Sequence, residues 1–580
     1  MGESKMEGDG VVSARKHKNK IKSRYKKMLK RCEKKGIDSV TENSDGYKYL
    51  MRIMGVIDGV RNDEYEMGIL SENVFSEIKG SEVFYSKCQM TSKLLEDLLP
   101  YSNDKDFMEF AQPFTENLRP IFTDRVASHI LQTIITESFR RYRKVVSESG
   151  SDDKQCVSLL DTIQKISGFA LNNLDSFIWG SSSNHIIRTI LNVLSGHAVK
   201  SNISGNAKLD TPSEFQTILI KFANSIINHS QFQDFCYETV TSGLLQTLSV
   251  ALKDVENGNK ALIRKIVKQN KEQPPELRDE QNEPFLRLIE VILEVAEIKQ
   301  FSKVYKTFFS NNLKELSVSK AGNFAVQKLI KNCTDKDLFE TIFDELNPVG
   351  EDILLMKNTG VLLELAQGCL KYKTKQGEFV KLMLRILKCE KTLNEDSDIT
   401  PLTCCMVTSD KFDAEAMKMN LHGTLIVQAM LNFGKPIKII NSLLNMETKH
   451  LLQIISDPRG CHIVDAFVQS PTVGEKSRDR LFKKLLGSYT ELATSKHGSR
   501  SLDAIWSGIT TKNRVILMDE LKERESEVTA NQFGKLFASK NFLYNFRRNR
   551  DEWIKRDKTL ETTKKCFADI VPAKRPKLDE

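Results

Sequence analysis

Apolar residues along this chain recur three and four positions apart, and no strand-like alternation recurs with them. The stretch SKAGNFAVQKLIKNC (319–333) shows the pattern clearly. Ala325, Val326, Leu329 and Ile330 make an apolar face, while Asn323 and Gln327, four apart, share a polar one. FSKVYKTFFSNNLKELS (301–317), IKIINSLLNMETKHLLQIIS (437–456) and RDRLFKKLLGSYTELAT (478–494) carry the same periodicity just ahead of such stretches. The pattern predicts groups of about three short amphipathic helices.

These groups repeat. MTSKLLEDLL (90–99), VASHILQTII (126–135), SSNHIIRTIL (182–191), VTSGLLQTLS (240–249), KNTGVLLELA (357–366), LHGTLIVQAM (421–430), PRGCHIVDAFV (458–468) and KHGSRSLDAIW (496–506) align with the stretch at 319. NEPFLRLIEVIL (282–293) and QFGKLFASKNF (532–542) are weaker copies. With Asn323 as position one, the equivalent residues are Ser92, Ser128, Asn184, Ser242, Glu283, Gly360, Thr424, Cys461, Ser499 and Lys535. Many steps are 36 to 38 residues. One such unit cannot bury its apolar face alone, so the expected fold is all-α: a right-handed α-solenoid, a curved superhelix of about eleven three-helix repeats. Polar inserts near 145–160, 196–213, 254–283 and 388–414 lengthen some steps and read as loops or frayed extensions. The expected layout is a basic, mostly disordered segment over 1–55, the array over 56–555 and a polar tail over 556–580.

In a solenoid the same helix of every repeat lines one surface, so a recurring polar position becomes a row. An amide pair such as Asn323 and Gln327 offers donors and acceptors to a base edge, and Phe324 between them can stack on a base. The same residues can also cap backbone groups or simply face water.

Charge sharpens this picture. Lys and Arg exceed Asp and Glu by nine, and KHKNKIKSRYKKMLKRCEKK (16–35) alone carries eleven of them against one Glu. Lys574, Arg575 and Lys577 lie between prolines in VPAKRPKLDE and look like a short nuclear import signal. No apolar leader region and no run of about eighteen uncharged apolar residues occurs, so neither a signal peptide nor a membrane partner is expected. Eleven scattered cysteines without a CxxC fit a reduced compartment. Cys404–Cys405 and Cys461–His462 lack partner ligands at metal-site spacing, and no GxxxxGK[ST], GxGxxG or HExxH is present. No catalytic residue, metal or cofactor is therefore expected.

The pieces GCHIVDAFV (460–468), HGSRSLDAIW (497–506) and FASKNFLYNFRRNRDEW (537–553) resemble pumilio-like repeat proteins, specifically the nucleolar protein 9 family, with the likeness extending over roughly 60–555. The resemblance implies a superhelix of pumilio repeats whose second helices line an RNA-binding face. It implies binding to precursor rRNA, support of small-subunit (18S) rRNA processing, and residence in the nucleus and nucleolus. In pumilio repeats positions one and five meet the Watson–Crick edge and position two stacks. Carried over, Asn323 and Gln327 resemble a uracil-reading pair with Phe324 stacking. Ser128 and Gln132 resemble an adenine pair with His129 stacking. Ser242 with Gln246 and Thr424 with Gln428 are similar, although Gly243 offers nothing to stack and Leu425 little. Ser92 and Glu96 resemble a guanine pair beside the stem of Lys93.

Other repeats depart from that code. Asn184 and His185 are followed by Arg188, which fits phosphate. Glu283 with Arg287, and Gly360 with Glu364, lack the usual pairing. His462 and Arg500 occupy position two, but Asp465 and Asp503 at position five suit structure better than base reading. Lys535, Arg547, Arg548 and Arg550 fit phosphate. Expected partners are RNA, pre-ribosomal assembly proteins and an import receptor, with the protein itself a monomer. The alternatives are a pumilio-type regulator of messenger RNA and an armadillo- or HEAT-like protein-interaction scaffold.

Overall fold

The structure, a computed structural model, describes residues 45–149, 154–197, 210–271, 282–389 and 395–570. The basic run at 16–35 and the cluster Lys574, Arg575 and Lys577 lie outside the described residues. Every regular element among the described residues is a helix. The chain forms two compact bodies, Met1–Lys303 and Val304–Glu580.

Among the described residues the repeats run long helix, short helix, reading helix, except repeat 5, where a long helix and a reading helix are described. In the N-terminal body the reading helices are Gln89–Leu98, Ala127–Ser149, Ser181–Leu194, Thr239–Ala251 and Glu283–Val295. In the C-terminal body they are Gly322–Asn332, Thr359–Tyr372, Leu421–Leu431, His462–Gln469, Gly498–Gly508 and Gln532–Lys540. Within each body consecutive reading helices pack side by side. These eleven helices are the eleven repeats predicted by the sequence register, numbered here 1 to 11.

The small residue ahead of position one has a steric cause. The first turn of a reading helix sits directly on the end of the short helix before it. A Cβ at Gly423 would stand 2.1 Å from the carbonyl oxygen of Thr403, and one at Gly460 would stand 2.1 Å from that of Ile454. Local polar groups fix the same turn: the Gly322 amide donates to Ser319 Oγ at 2.7 Å and the Gly498 amide to Ser495 Oγ at 2.9 Å.

Ala325, Val326, Leu329 and Ile330 are buried, as their spacing predicts. Phenylalanines fill much of the space between helices; the rings of Phe122 and Phe177 stack at 4.8 Å. The nine cysteines from Cys88 to Cys461 are free thiols, and all but Cys405 are buried.

Several boundaries differ from the sequence reading. Segment 254–283, expected to be a loop, contains the helix Gly258–Gln269, which serves as the long helix of repeat 5 and buries Leu262, Ile263 and Ile266. Segment 388–414 contains the helix Glu395–Cys405, which packs along Ile437–Asn445 and Leu421–Leu431 and buries Ile399, Leu402 and Cys404. Polar flanks hid both, because only three or four apolar residues per helix are needed to seal one side. The packed chain also begins before residue 56, since helix Asp45–Val60 buries Leu50, Met54 and Ile57. It continues past residue 555 in the helix Arg550–Ile570. There Asp557 is buried, pairs with Arg514 at 3.1 Å and accepts a hydrogen bond from Thr511 at 2.7 Å.

Candidate nucleic-acid interface

The helical period sorts the three proposed reading positions by depth. Position one falls on the same side as the core residues three and seven places later. Ser92, Ser128, Asn184, Ser242, Asn323 and Thr424 are all buried. Their polar heads mostly turn to backbone carbonyls. Asn323 Nδ2 donates to Ser319 O at 2.9 Å and Lys320 O at 2.8 Å, and Asn184 Nδ2 donates to Ile178 O at 2.8 Å. Ser242 Oγ donates to Pro284 O in the next repeat at 2.6 Å. Thr424 and Ser499 each close their own helix turn by donating to the carbonyl three residues back.

Position two points outward in most repeats; Val361 of repeat 7 is the exception and is fully buried. His129, His185, Phe324, Arg500 and Leu536 are exposed, while Lys93, Leu425 and His462 are half-buried; Lys535, the position-one residue of repeat 11, is exposed too. Phe324 is 44% exposed despite being a large ring, which sets it apart from the buried phenylalanines of the core. His129 and His185 lie in adjacent repeats. Burial, Arg188 and His129 together push the His185 pKa below its ordinary value, so its ring is neutral near pH 7.

Position five is half-buried and reaches sideways. Gln132 Oε1 accepts from Thr189 of the next repeat at 3.2 Å, and Gln132 Nε2 donates to Ser128 O at 3.3 Å. Arg188 Nε donates to Thr247 of the next repeat at 2.9 Å. Lys540 of repeat 11 donates to Asp503 of repeat 10 at 3.0 Å. Thr189, Thr247 and Lys540 all occupy position six, one place beyond the residue aligned with Gln327. Position five of one repeat is thus fastened to position six of the next. The sequence reading had missed position six, although a threonine at 189 and again at 247 was visible in the register.

Arg188 also lies over Gly243. A Cβ at that glycine would stand 3.0 Å from Arg188 Nη1 and 3.4 Å from Cζ. The slot at position two of repeat 4, expected to offer nothing to stack, is occupied by the Arg188 guanidinium of repeat 3. Likewise the Gln327 amide lies over Gly360, where a Cβ would stand 2.4 Å from Oε1. Gln327 Nε2 donates to Asn323 Oδ1 at 2.9 Å, and Gln246 Nε2 donates to Ser242 Oγ at 3.2 Å. Position one therefore holds and orients the position-five amide in both repeats.

A family profile described as the NOP9-like PUF repeat domain matches residues 80–209 and 199–536. The chain belongs to this family. Nucleolar protein 9 of Mus musculus is 24% identical over 574 residues, covering 90% of each chain. Nucleolar protein 9 of Homo sapiens is 23% identical over 580 residues, again covering 90% of each. Pumilio homolog 23 of Arabidopsis thaliana is 21% identical over 561 residues, covering 89% of this chain and 73% of its own. Among solved structures, APUM23–GGAAUUGACGG superposes with a TM-score of 0.73 at 21% identity, covering 90% of this chain and 100% of that one. The fold is the PUF-type α-solenoid.

Several PUF repeats here use their polar residues on one another. Lys93 pairs with Glu96 at 2.8 Å and with Asp97 at 3.1 Å, so the carboxylate expected to meet a guanine already holds a cation. Arg287 pairs with Glu283 and Glu290, each at 3.2 Å. Asp465 sits 3.6 Å from His462 and 3.2 Å from Arg500 of the next repeat, which fits the structural role expected of the two aspartates. At repeat 7, burial raises the Glu364 pKa against the pull of Lys331 and Lys328. In the C-terminal group Arg547 pairs with Glu525 at 3.0 Å and Arg550 with Asp519 at 2.7 Å. Arg548 instead lines a polar hollow with Asn545, Asn549 and Arg556.

No group of three or more His, Cys, Asp or Glu among the described residues is arranged to hold a metal ion. No described helix is long and apolar enough to cross a membrane.

Proposed function

We propose that this protein is an RNA-binding factor of ribosome biogenesis that holds a single-stranded segment of precursor rRNA along its reading helices. The observation that carries this reading is the division of labour along those helices. Position-two side chains stand out in series, position-five groups lie beside them at the surface, and position one is buried beneath as support. Exposed rings and planar cations at one-repeat spacing suit successive bases, because every base presents a flat face. Phe324, His129, His185 and the Arg188 plane would stack. Gln132, Gln246, Gln327 and Gln428 would meet base edges from position five. Lys535, Arg500 and Arg548 would meet phosphate.

The family assignment supports RNA as the partner, and the names of the relatives support nuclear and nucleolar residence. Within that setting the mechanism is occupancy: a bound segment is withheld from nucleases and from premature pairing during maturation of the 18S region. Assembly proteins and an import receptor complete the partners, and the protein acts as a monomer without catalysis.

The test is nucleotide-resolution crosslinking in nucleolar extracts together with binding to short RNAs at graded salt. Crosslinks concentrated on precursor rRNA, with affinity falling steeply as salt rises, are the expected result. Crosslinks confined to messenger RNA would favour a pumilio-type regulator. No RNA crosslinks and no salt-dependent RNA binding would favour a protein scaffold.

A further inference from the structure

Away from the reading helices, the N-terminal body carries a second cationic feature. Helices Gly258–Gln269 and Ile298–Val304 frame an open groove of about 840 Å3. None of its lining residues belongs to a reading helix. Lys260, Arg264, Lys268 and Lys271 line one wall, and Lys299 and Lys303 line the other, against a single lining carboxylate among the described residues, Glu297. All six cations are exposed, and none forms a side-chain ion pair or hydrogen bond among the described residues. Lys260, Arg264 and Lys268 are four residues apart, so like charges stack along one face of a helix with no acid between them. Between the walls lie aliphatic side chains: Val267 is half-buried and Ile298 is 67% exposed.

We propose that this groove docks an acidic amphipathic helix from a protein partner. Its apolar face would cover Val267 and Ile298, and its carboxylates would meet the two cationic walls. The eleven-residue stagger from Lys260 to Lys271 spans roughly 16 Å along the axis, room for about three helical turns. The lining chemistry favours a peptide over RNA. Among the described residues no aromatic ring lines the groove to receive a base, and a phosphate backbone laid across it would leave the aliphatic floor bare. The site is independent of the reading helices, so it stands or falls separately from the RNA-binding proposal.

The probe is a fluorescein-labelled helical peptide of roughly fourteen residues, with leucines at i, i+3, i+4 and i+7 and glutamates elsewhere, titrated against the full-length protein by anisotropy. Saturable binding is expected, weakened about tenfold or more by Arg264→Glu with Lys268→Glu and separately by Ile298→Ser. Circular dichroism of each variant checks that the helices persist. A peptide with serine in place of leucine should bind much more weakly; equal binding would reduce the groove to a nonspecific charge patch and overturn the proposal. So would the absence of saturable binding. Loss of RNA affinity in the Arg264→Glu, Lys268→Glu variant, with crosslinks on this helix, would replace the peptide by RNA. Binding seen only after deletion of 272–281, whose sequence EQPPELRDEQ is itself acidic, would make that segment the occupant instead.

Discussion

The guanidinium of Arg188 lies so close to Gly243 of the following repeat that a Cβ there would approach Nη1 to 3.0 Å. A hydrogen bond from Nε to Thr247 at 2.9 Å holds it in that place. The residue at position five of one repeat thus stands in the stacking slot of the next.

This placement separates two roles for Arg188. A phosphate contact needs only charge, which lysine keeps. A stacking contact needs the plane, which lysine lacks. Arg188→Ala is expected to weaken RNA binding roughly 3- to 30-fold, in the range of an exposed to half-desolvated cation–π contact. Arg188→Lys should weaken it nearly as much, with an unchanged salt slope. Affinity retained in Arg188→Lys, as fluorescence anisotropy would show, would return the residue to phosphate.

Gly360 should tolerate no side chain without moving Gln327. A Cβ there would lie 2.4 to 2.7 Å from the Gln327 amide, which is the far end of a flexible side chain. Gly360→Leu is therefore expected to displace that amide and break its bond to Asn323. Loss of one such hydrogen bond changes stability by about 1 kcal/mol or less, so the melting temperature should shift by only a few degrees. RNA affinity should fall severalfold. A large loss of helicity would show that the glycine serves packing and not the amide.

Phe324 is the largest exposed ring on the C-terminal row of reading helices, and its neighbours Ala325 and Val326 are fully buried. Phe324→Ala should leave thermal stability almost unchanged while weakening RNA binding by about 1 to 3 kcal/mol, the usual worth of one stacked base. Val326→Ala should do the reverse, lowering the melting temperature with little direct effect on RNA. If both variants lost only stability, the ring would be serving the fold alone.

The repeat register was legible because most reading helices carry a small residue, a polar residue and paired aliphatics, and the structure shows a steric cause for the small one. Glycines such as Gly423 and Gly460 permit the close approach of the preceding helix. The position-one polar residue was legible as recurrent but not as buried. Spacing places Asn323 and Gln327 on one face, yet the first turn of a helix sits deeper than its middle, and only packing shows which of the two reaches the surface. The Arg188–Gly243 and Gln132–Thr189 relationships join residues about one repeat apart in space but 55 to 57 apart in sequence. No local pattern encodes them. The helices at 258–269 and 395–405 escaped notice because their apolar residues are few and their flanks are polar.

The helix Glu395–Cys405 gives a direct test of that last point. Leu402 is 1% exposed, in a segment that reads as an insert. If the helix is part of the packed array, Leu402→Ala should cost roughly 2 to 5 kcal/mol, as for other leucines cut back in a closed core. A true loop residue would cost almost nothing. Urea unfolding followed by circular dichroism distinguishes the two, and a shift below about 0.5 kcal/mol would remove this helix from the core.

His185 supplies a pH dependence whose sign can be worked out. Its pKa lies below the ordinary histidine value, first because the ring is partly buried and then because Arg188 and His129 are near. Around and below that ordinary value, the folded protein binds fewer protons at this site than the unfolded chain does. The contribution to stability is therefore favourable at neutral pH and diminishes as pH falls through about 6.5. RNA reverses the direction for binding. A phosphate beside the ring favours the charged form and raises its pKa, so the complex takes up a proton that the free protein does not hold. Affinity for RNA should rise as pH drops from about 7.5 to 6, by no more than about tenfold for a one-unit shift of a single histidine. His185→Gln should flatten its share of that rise while leaving the neutral-pH affinity within a fewfold. A pH profile identical in the variant would show that no phosphate approaches this ring.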